Sequence, residues 1–561
     1  MISKKIPLYL LFVLIVSVGA ILPLFSHYFF PMHDDTQVAR VFEMKTALVD
    51  GMFPVRWSSE LGFGFGYPLF TFYAPLAYYI GGAIALIGFN ALLATKIMIG
   101  IIMLIAGISM YFFAREYFNK PSAVASSILY VFAPYHALDL YVRGDISELL
   151  AYGLLPFLFF CFSRLALFQK NFVYIAGISY ALLIISHNLT AFELTPFLAI
   201  FCFLLLLQSK KKLKLFKQFC YALILGLVLS AFYFLPAVVE SSYTNVLSDV
   251  SNGSNFVNHF VCINQLWYSP WGFGGSAPGC IDGLSFSLGK LYIFLSVLSL
   301  FLIVYAYMLK KKVKLYPYLF FLSGFLLSIF LLLQISQPVW ELIKPMAFIQ
   351  FPWRFLIFAS FFMSLLAGFA LDVVPHIWNR KSIKWQIGGL GVLVIVVSIT
   401  QIKLFQPHYY KQLSVSEYTS FKEVAYTASL LSDEYMPKNF TIPKSYSVVP
   451  KQAVTSLSKG ITIVSIQKKT QKITALVNAE SEGNVVFNIA YFPGWHMQVN
   501  GKDVTYTHLD NGLSVFVPKG FHEITAEYRN TLIENISDII SLLGILYIIS
   551  AIILKKRSYG K

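Results

Sequence analysis

Uncharged apolar runs separated by short polar breaks occupy most of this chain. A helix needs about 20 apolar residues to cross the hydrocarbon layer. Runs of that kind fall near 6–29, 91–114, 121–137, 149–168, 172–187, 190–208, 216–237, 288–309, 316–334, 354–374, 385–402 and 532–554, which predicts twelve spanning helices. The pattern changes between 403 and 530, where apolar and polar residues alternate with the period of a strand. Ile461–Ile466, Ile473–Val477, Val485–Tyr491, His496–Val499, Leu513–Val517 and Ile524–Tyr528 read as strands. Asn500-Gly501 and Asn511-Gly512 read as hairpin turns, and Pro518-Lys519-Gly520 as a further turn. The expectation is an α-helical polytopic membrane protein with a C-terminal extracytoplasmic β-sandwich-like domain. Its parts are a multi-span region 1–402, a β-rich domain 403–530, and a final span with a basic tail, 531–561.

Composition agrees with lipid as the solvent. The 561 residues are 57% hydrophobic and 12% charged, with a mean hydropathy of +0.68. Soluble domains carry about 25% charged residues. The net charge of +16 does not mark a nucleic-acid partner, because the basic residues sit in clusters beside the apolar runs. Lys4 and Lys5 form one cluster, and Lys210, Lys211, Lys212, Lys214 and Lys217 another. Lys310, Lys311, Lys312 and Lys314 follow, then Arg380, Lys381 and Lys384, then Lys555, Lys556, Arg557 and Lys561. Cytoplasmic loops carry such an excess of Lys and Arg.

With twelve spans every cluster lands on one side, so both termini are expected in the cytoplasm of a multi-pass cell-membrane protein. A thirteenth crossing at Pro68–Gly88 would reverse all later segments, so that stretch is expected to be interfacial or re-entrant. Loops 30–90, 138–148, 239–287 and 335–353 then fall on the external side. Ile6 to Met32 is too long for a signal-peptide core and reads as an uncleaved anchor. Cys161, Cys202 and Cys220 lie within apolar runs and read as packing residues, whereas Cys262 and Cys280 share one polar loop and are candidates for a disulfide.

Ionisable groups near lipid are costly, so those at span ends are the candidates for chemistry. Asp34 and Asp35 open the first external loop. They read either as a general base or metal ligand, or, for Asp35, as the cap of an amphipathic helix over Thr36–Leu48. Asp145 and Glu148 are three apart at the start of a span, beside Arg143. They read as a second acidic site or as a capping box with Glu148 reaching back. His187 ends another span and reads as a satisfied polar group or a catalyst. Arg354, in Phe351-Pro352-Trp353-Arg354-Phe355, reads as an interfacial anchor or a phosphate ligand. Trp495 is the candidate sugar platform of the β-rich domain, whose other reading is a structural cap. No Walker lysine motif, zinc spacing or nucleophile elbow is present.

His33-Asp34-Asp35, Arg143-Gly144-Asp145 with Glu148-Leu149-Leu150-Ala151-Tyr152, Ser186-His187-Asn188 and Phe351-Pro352-Trp353-Arg354-Phe355 together resemble a bacterial membrane family labelled "6-pyruvoyl-tetrahydropterin synthase-related". The zinc-binding histidine cluster of the soluble pterin enzyme is not visible here. The order of one span, an acid-bearing loop and a second acid loop two spans later resembles the GT-C superfamily of glycosyltransferases. Tyr491-Phe492-Pro493-Gly494-Trp495 with Asn500-Gly501 resembles the external domain of YfhO-type membrane proteins. The resemblance implies a membrane glycosyltransferase moving a sugar from a polyprenyl-phosphate-linked donor to an extracytoplasmic glycan or protein acceptor. It carries a catalytic role to Asp34 or Asp35 and to Asp145 or Glu148. Arg354, with Arg143 or His187, would then meet the donor phosphate. A divalent ion, Mg²⁺ or Mn²⁺, would fall to Asp34 and Asp35. The alternatives are a transporter or flippase of a lipid-linked or anionic envelope precursor, and a non-catalytic envelope-assembly protein.

Overall fold

The computed structural model describes residues 8–169, 172–246, 255–311, 313, 315–377 and 383–559. Lys4, Lys5, Lys312, Lys314, Arg380, Lys381 and Lys561 lie outside them. Among the described residues, ten helices are long and apolar enough to cross a membrane, so the chain is a polytopic α-helical membrane protein. The two other runs expected to span form the shorter helices Phe172–Ser186 and Thr195–Gln208, of 15 and 14 residues. His187, held in an extended conformation, ends the first of them, and Pro196 opens the second. Helix Leu76–Leu86 has 11 residues, about 16 Å of rise against a layer of about 30 Å. Its length falls short of that layer, as do those of the 15- and 14-residue helices.

The chain divides into two compact units. The first comprises Met1–His33, Ile99–Leu227 and Val250–Lys411. Aromatic rings stack within its mainly aliphatic interior. Phe159 stacks on Phe361 at 5.2 Å between centroids, and Phe197 on Phe358 at 4.4 Å. Cys262 and Cys280 form a disulfide.

The second unit comprises Asp34–Met98, Val228–Asp249 and Gln412–Lys561. Among the described residues it contains nine strands, β1 (Val454–Ser456), β2 (Ile461–Lys469), β3 (Lys472–Ala479), β4 (Gly483–Phe487), β5 (Trp495–Val499), β6 (Lys502–Val504), β7 (Thr507–Leu509), β8 (Gly512–Val517) and β9 (Gly520–Tyr528). They form two antiparallel sheets, β1-β4-β8-β7 and β2-β3-β9-β5-β6. Alternation gives β3 its inner face of Ile473, Ala475, Val477 and Ala479. Asn500 and Gly501, both at positive φ, make the β5–β6 turn. In the β7–β8 hairpin Leu509 pairs with Gly512, so the turn is Asp510-Asn511, one residue earlier than expected. The edge strands β1, β6 and β7 have three residues each, too short to show alternation in sequence.

Residues remote in sequence complete this unit. Trp57 packs edge-on to Trp495 at 5.3 Å and lies 5.8 Å from the Tyr528 ring. Trp495 is only 2% exposed, so it serves the core and not as a sugar platform. Glu43 Oε2 accepts the N–H groups of Ser59 and Glu60 and the Ser58 hydroxyl, tying the Gln37–Val49 helix to the next loop. Asp50 Oδ2 accepts from Thr470 at the β2–β3 turn.

Candidate functional site

The site-bearing turn lies in the first unit and is built by local rules. Asn119 caps the helix Lys120–Val131 by accepting the Ser122 N–H at 3.1 Å. Ala133 is extended ahead of Pro134, which breaks that helix. A short helix Pro134–Leu138 runs into a widened turn, Asp139–Arg143. Gly144 stops it in the left-handed region at φ 71°. Asp145 then caps the helix Ile146–Ala166, its Oδ1 accepting the Glu148 N–H at 3.1 Å.

The Glu148 side chain does not reach back to complete a capping box. Its Oε1 accepts from Tyr135 Oη at 2.6 Å and from Arg143 Nη1, and its Oε2 accepts from Arg143 Nη2 at 3.1 Å. Arg143 also donates to Asp139 Oδ1 at 2.6 Å and to Asp145 Oδ2 at 3.2 Å. Its guanidinium lies 4.7 Å from the Trp353 ring centroid. Arg354 comes from the turn Pro352–Phe355. Its Nε is 3.3 Å from Glu148 Oε2 and its Nη2 is 3.7 Å from Asp145 Oδ2. His187 caps the helix Asn188–Glu193 through Nδ1, and its Nε2 stands 4.0 Å from Asp145 Oδ2.

Five of the residues singled out in the sequence therefore meet in one buried cluster: Arg143, Asp145, Glu148, His187 and Arg354. Burial opposes ionisation of Asp145, but His187, Arg143 and Arg354 outweigh it and hold the carboxyl below its ordinary range.

Asp34 and Asp35 belong to the other unit, where both are half-buried. Asp35 does not cap the neighbouring helix. The helix is Gln37–Val49, its N-cap is Thr36, and no side chain caps it. The backbone carbonyl of Asp34 accepts from Gln37 Nε2 at 2.9 Å. Deeper in that unit Arg40, 2% exposed, donates to Ser432 Oγ at 2.6 Å and lies over the Tyr73 ring.

Two members of the charge cluster escaped the sequence reading. Asp139 is fully buried and pairs with Arg143. Glu193 is 2% exposed and within the electrostatic reach of Glu148, Arg354, Arg143 and Asp145. Asp139 directly follows the apolar run at 121–137, and Glu193 sits inside the run at 190–208. A charge at such a place was the available signal.

Three donors of the cluster stand close enough to share a divalent ion. Asp145, Glu148 and His187 bring one ligand atom each within 4.8 Å of one another. Arg143 and Arg354, however, already face Asp145 Oδ2 and Glu148 Oε2. Two fixed cations on the same oxygens oppose a third positive centre, so these residues do not fit a resident Mg²⁺ or Mn²⁺.

Helical spans, antiparallel sheets and a charge cluster at the helix ends define a polytopic membrane protein with a polar site beside the spans. The chain belongs to the family of membrane proteins described as 6-pyruvoyl-tetrahydropterin synthase related domain, whose model matches residues 70–405. Among solved structures it is similar to the archaeal oligosaccharyltransferase AglB from Archaeoglobus fulgidus, in complex with an inhibitory peptide and a dolichol-phosphate. That likeness has 14% identity and a TM-score of 0.47, and it covers 78% of this chain and 61% of the archaeal one. It is also similar to ArnT from Cupriavidus metallidurans bound to undecaprenyl phosphate, at 11% identity and a TM-score of 0.38, with 76% of each chain covered. No curated protein matches the chain.

Proposed function

We propose that this protein is a GT-C-type membrane glycosyltransferase that moves a sugar from a polyprenyl-phosphate-linked donor to an extracytoplasmic glycan or protein acceptor. The observation that carries the reading is the pair of buried guanidiniums, Arg143 and Arg354, at the ends of apolar helices. Arg143 is saturated by Asp139, Asp145 and Glu148. Arg354 is not, because its buried Nη1 has no hydrogen-bond partner among the described residues. A lipid phosphate at the membrane surface supplies an acceptor oxygen for one of the two N–H groups on Nη1 and leaves the other free for a second ligand atom. As the glycosidic C–O bond breaks, charge grows on that phosphate, and a preorganised guanidinium stabilises it without reorganisation. His187 and Arg143 reinforce the positive side of the cluster. Asp145 and Glu148 fix where the guanidiniums point, and Asp34 and Asp35, in the other unit, are the further acids whose part in transfer is to be tested.

The Cys262–Cys280 disulfide supports an extracytoplasmic face for its loop. It agrees with cytoplasmic termini.

The test is radiolabelled sugar transfer in membranes from a panel of undecaprenyl-phosphate-linked sugars, run beside uptake into sealed vesicles. Transfer without uptake supports the reading, and uptake without transfer replaces it with a transporter. Asp34→Asn, Asp35→Asn, Asp145→Asn and Glu148→Gln complete the panel, and full transfer by all four rejects the mechanism.

A further inference from the structure

Glu193 is buried to 2% exposure, and among the described residues neither carboxylate oxygen has a hydrogen-bond partner. Among them it forms no ion pair either, although Arg143 and Arg354 both act on it electrostatically. A buried carboxyl with neither oxygen bonded is rare and calls for an explanation. The same cluster holds the complementary orphan, Arg354 Nη1, a buried donor with no acceptor. Glu193 and Arg354 feel each other's charge yet stand too far apart to bond. An acceptor and a donor left open in this way are both satisfied by one group that offers a proton to the first and a lone pair to the second. A hydroxyl does both, and an apolar lipid chain does neither.

We infer that Glu193 and Arg354 Nη1 form the seat of a sugar hydroxyl, with Glu193 accepting its hydrogen bond and the guanidinium donating to its oxygen. The inference rests on the transferase reading for the class of ligand, a saccharide. The hydroxyl comes either from the sugar of the donor or from the acceptor. The Asn188–Glu193 helix that carries Glu193 is capped by His187, so the seat and the cluster share one support.

The test uses the full chain in nanodiscs, as wild type, Glu193→Leu and Glu193→Gln. If the carboxyl is open for a ligand, Glu193→Leu removes an unsatisfied buried group and raises the Tm of the unliganded protein. A rise in Tm together with lost binding marks a group kept for function at a cost in stability. Binding of undecaprenyl phosphate, which carries no sugar hydroxyl, stays within about twofold of wild type.

Against a glycosylated undecaprenyl phosphate, Glu193→Leu loses about tenfold to a hundredfold in affinity if the hydroxyl is the donor's. If the hydroxyl is the acceptor's, donor affinity holds and the acceptor KM rises by that factor. Glu193→Gln keeps an acceptor oxygen and falls between wild type and Glu193→Leu. A fall in Tm for Glu193→Leu overturns the inference, because it shows a structural partner. Unchanged donor affinity together with an unchanged acceptor KM overturns it as well. A wild type that binds no glycosylated lipid sinks the transferase reading itself, a result distinct from a wild type that binds it as Glu193→Leu does.

Discussion

Asp145 divides its two oxygens: Oδ1 takes the Glu148 N–H at 3.1 Å and caps a helix, while Oδ2 faces Arg354 Nη2 at 3.7 Å. One side chain thus starts the helix and aims the guanidinium. Asp145→Asn keeps an oxygen for the cap and loses the charge, so the protein folds and Arg354 is aimed less well. Arg354→Gln goes further, lowering transfer by about 10²–10³-fold, the cost of losing one preorganised donor. It also weakens undecaprenyl phosphate binding, which titration in nanodiscs measures. Unaltered affinity in Arg354→Gln would remove the phosphate role.

The reversal at Gly144 sets the spacing of Arg143 and Asp145. A Cβ there would stand 2.5 Å from Met32 Cβ, and the backbone is held at φ 71°. Gly144→Ala is therefore expected to cost at least about 1 kcal/mol from the backbone alone. On a Met32→Gly background, which lacks the Cβ that the new methyl would strike, Gly144→Ala should cost only the backbone part. Thermal unfolding of both variants in detergent separates the two.

In the sheet-bearing unit, burial raises the Glu434 carboxyl from its ordinary 4.5 to about 7, against the pull of Arg40. A carboxyl raised in the folded state binds its proton more tightly there than when unfolded. Its contribution to stability is complete below about pH 4.5 and is lost as pH rises through about 7. Glu434→Gln cannot ionise, so it should flatten this part of the pH dependence. Melting curves from pH 4 to 8 check it, and parallel profiles would discard the assignment.

Chelation is a separate check on the charge cluster. With Arg143 and Arg354 on the carboxylates, EDTA should leave undecaprenyl phosphate binding within about twofold, while loss of transfer alone would assign an ion to Asp34 and Asp35. Loss of binding on chelation with recovery in Mn²⁺ would mean that a cation displaces a guanidinium.

Sidedness is measurable through Cys262 and Cys280. In intact cells an impermeant maleimide should label them only after an impermeant reductant has acted. Labelling without reduction, or none after it, would contradict the disulfide or its extracytoplasmic placement.

Much of the cluster was legible because lipid makes ionisable residues conspicuous. Arg143, Asp145, Glu148, His187 and Arg354 all stand where an apolar run begins or ends, and the structure brings them together. Their partnerships were not legible. Spacing offered Glu148 the backbone as a partner, whereas Arg143 and Tyr135 outcompete it through a charge-assisted bond and a phenol. Glu193 and Asp139 were masked by the averaging that finds spans, since one charge hardly lowers the mean of a long apolar window. The six longer strands were readable from alternation and turns. The first loop's share in that unit was not, because Trp57 meets Trp495 across more than four hundred residues of sequence, and no local pattern records so remote a partner.

That pairing bears on biogenesis. Residues 34–98 leave the ribosome long before the strands at 454–528 exist, yet Trp57 and Asp50 find Trp495 and Thr470 there. Until translation nears its end, the early segment carries an unfinished hydrophobic surface. A nonsense codon before residue 454 would thus damage a region already made. Grafting the strands alone onto a soluble carrier would leave them without their tryptophan keystone.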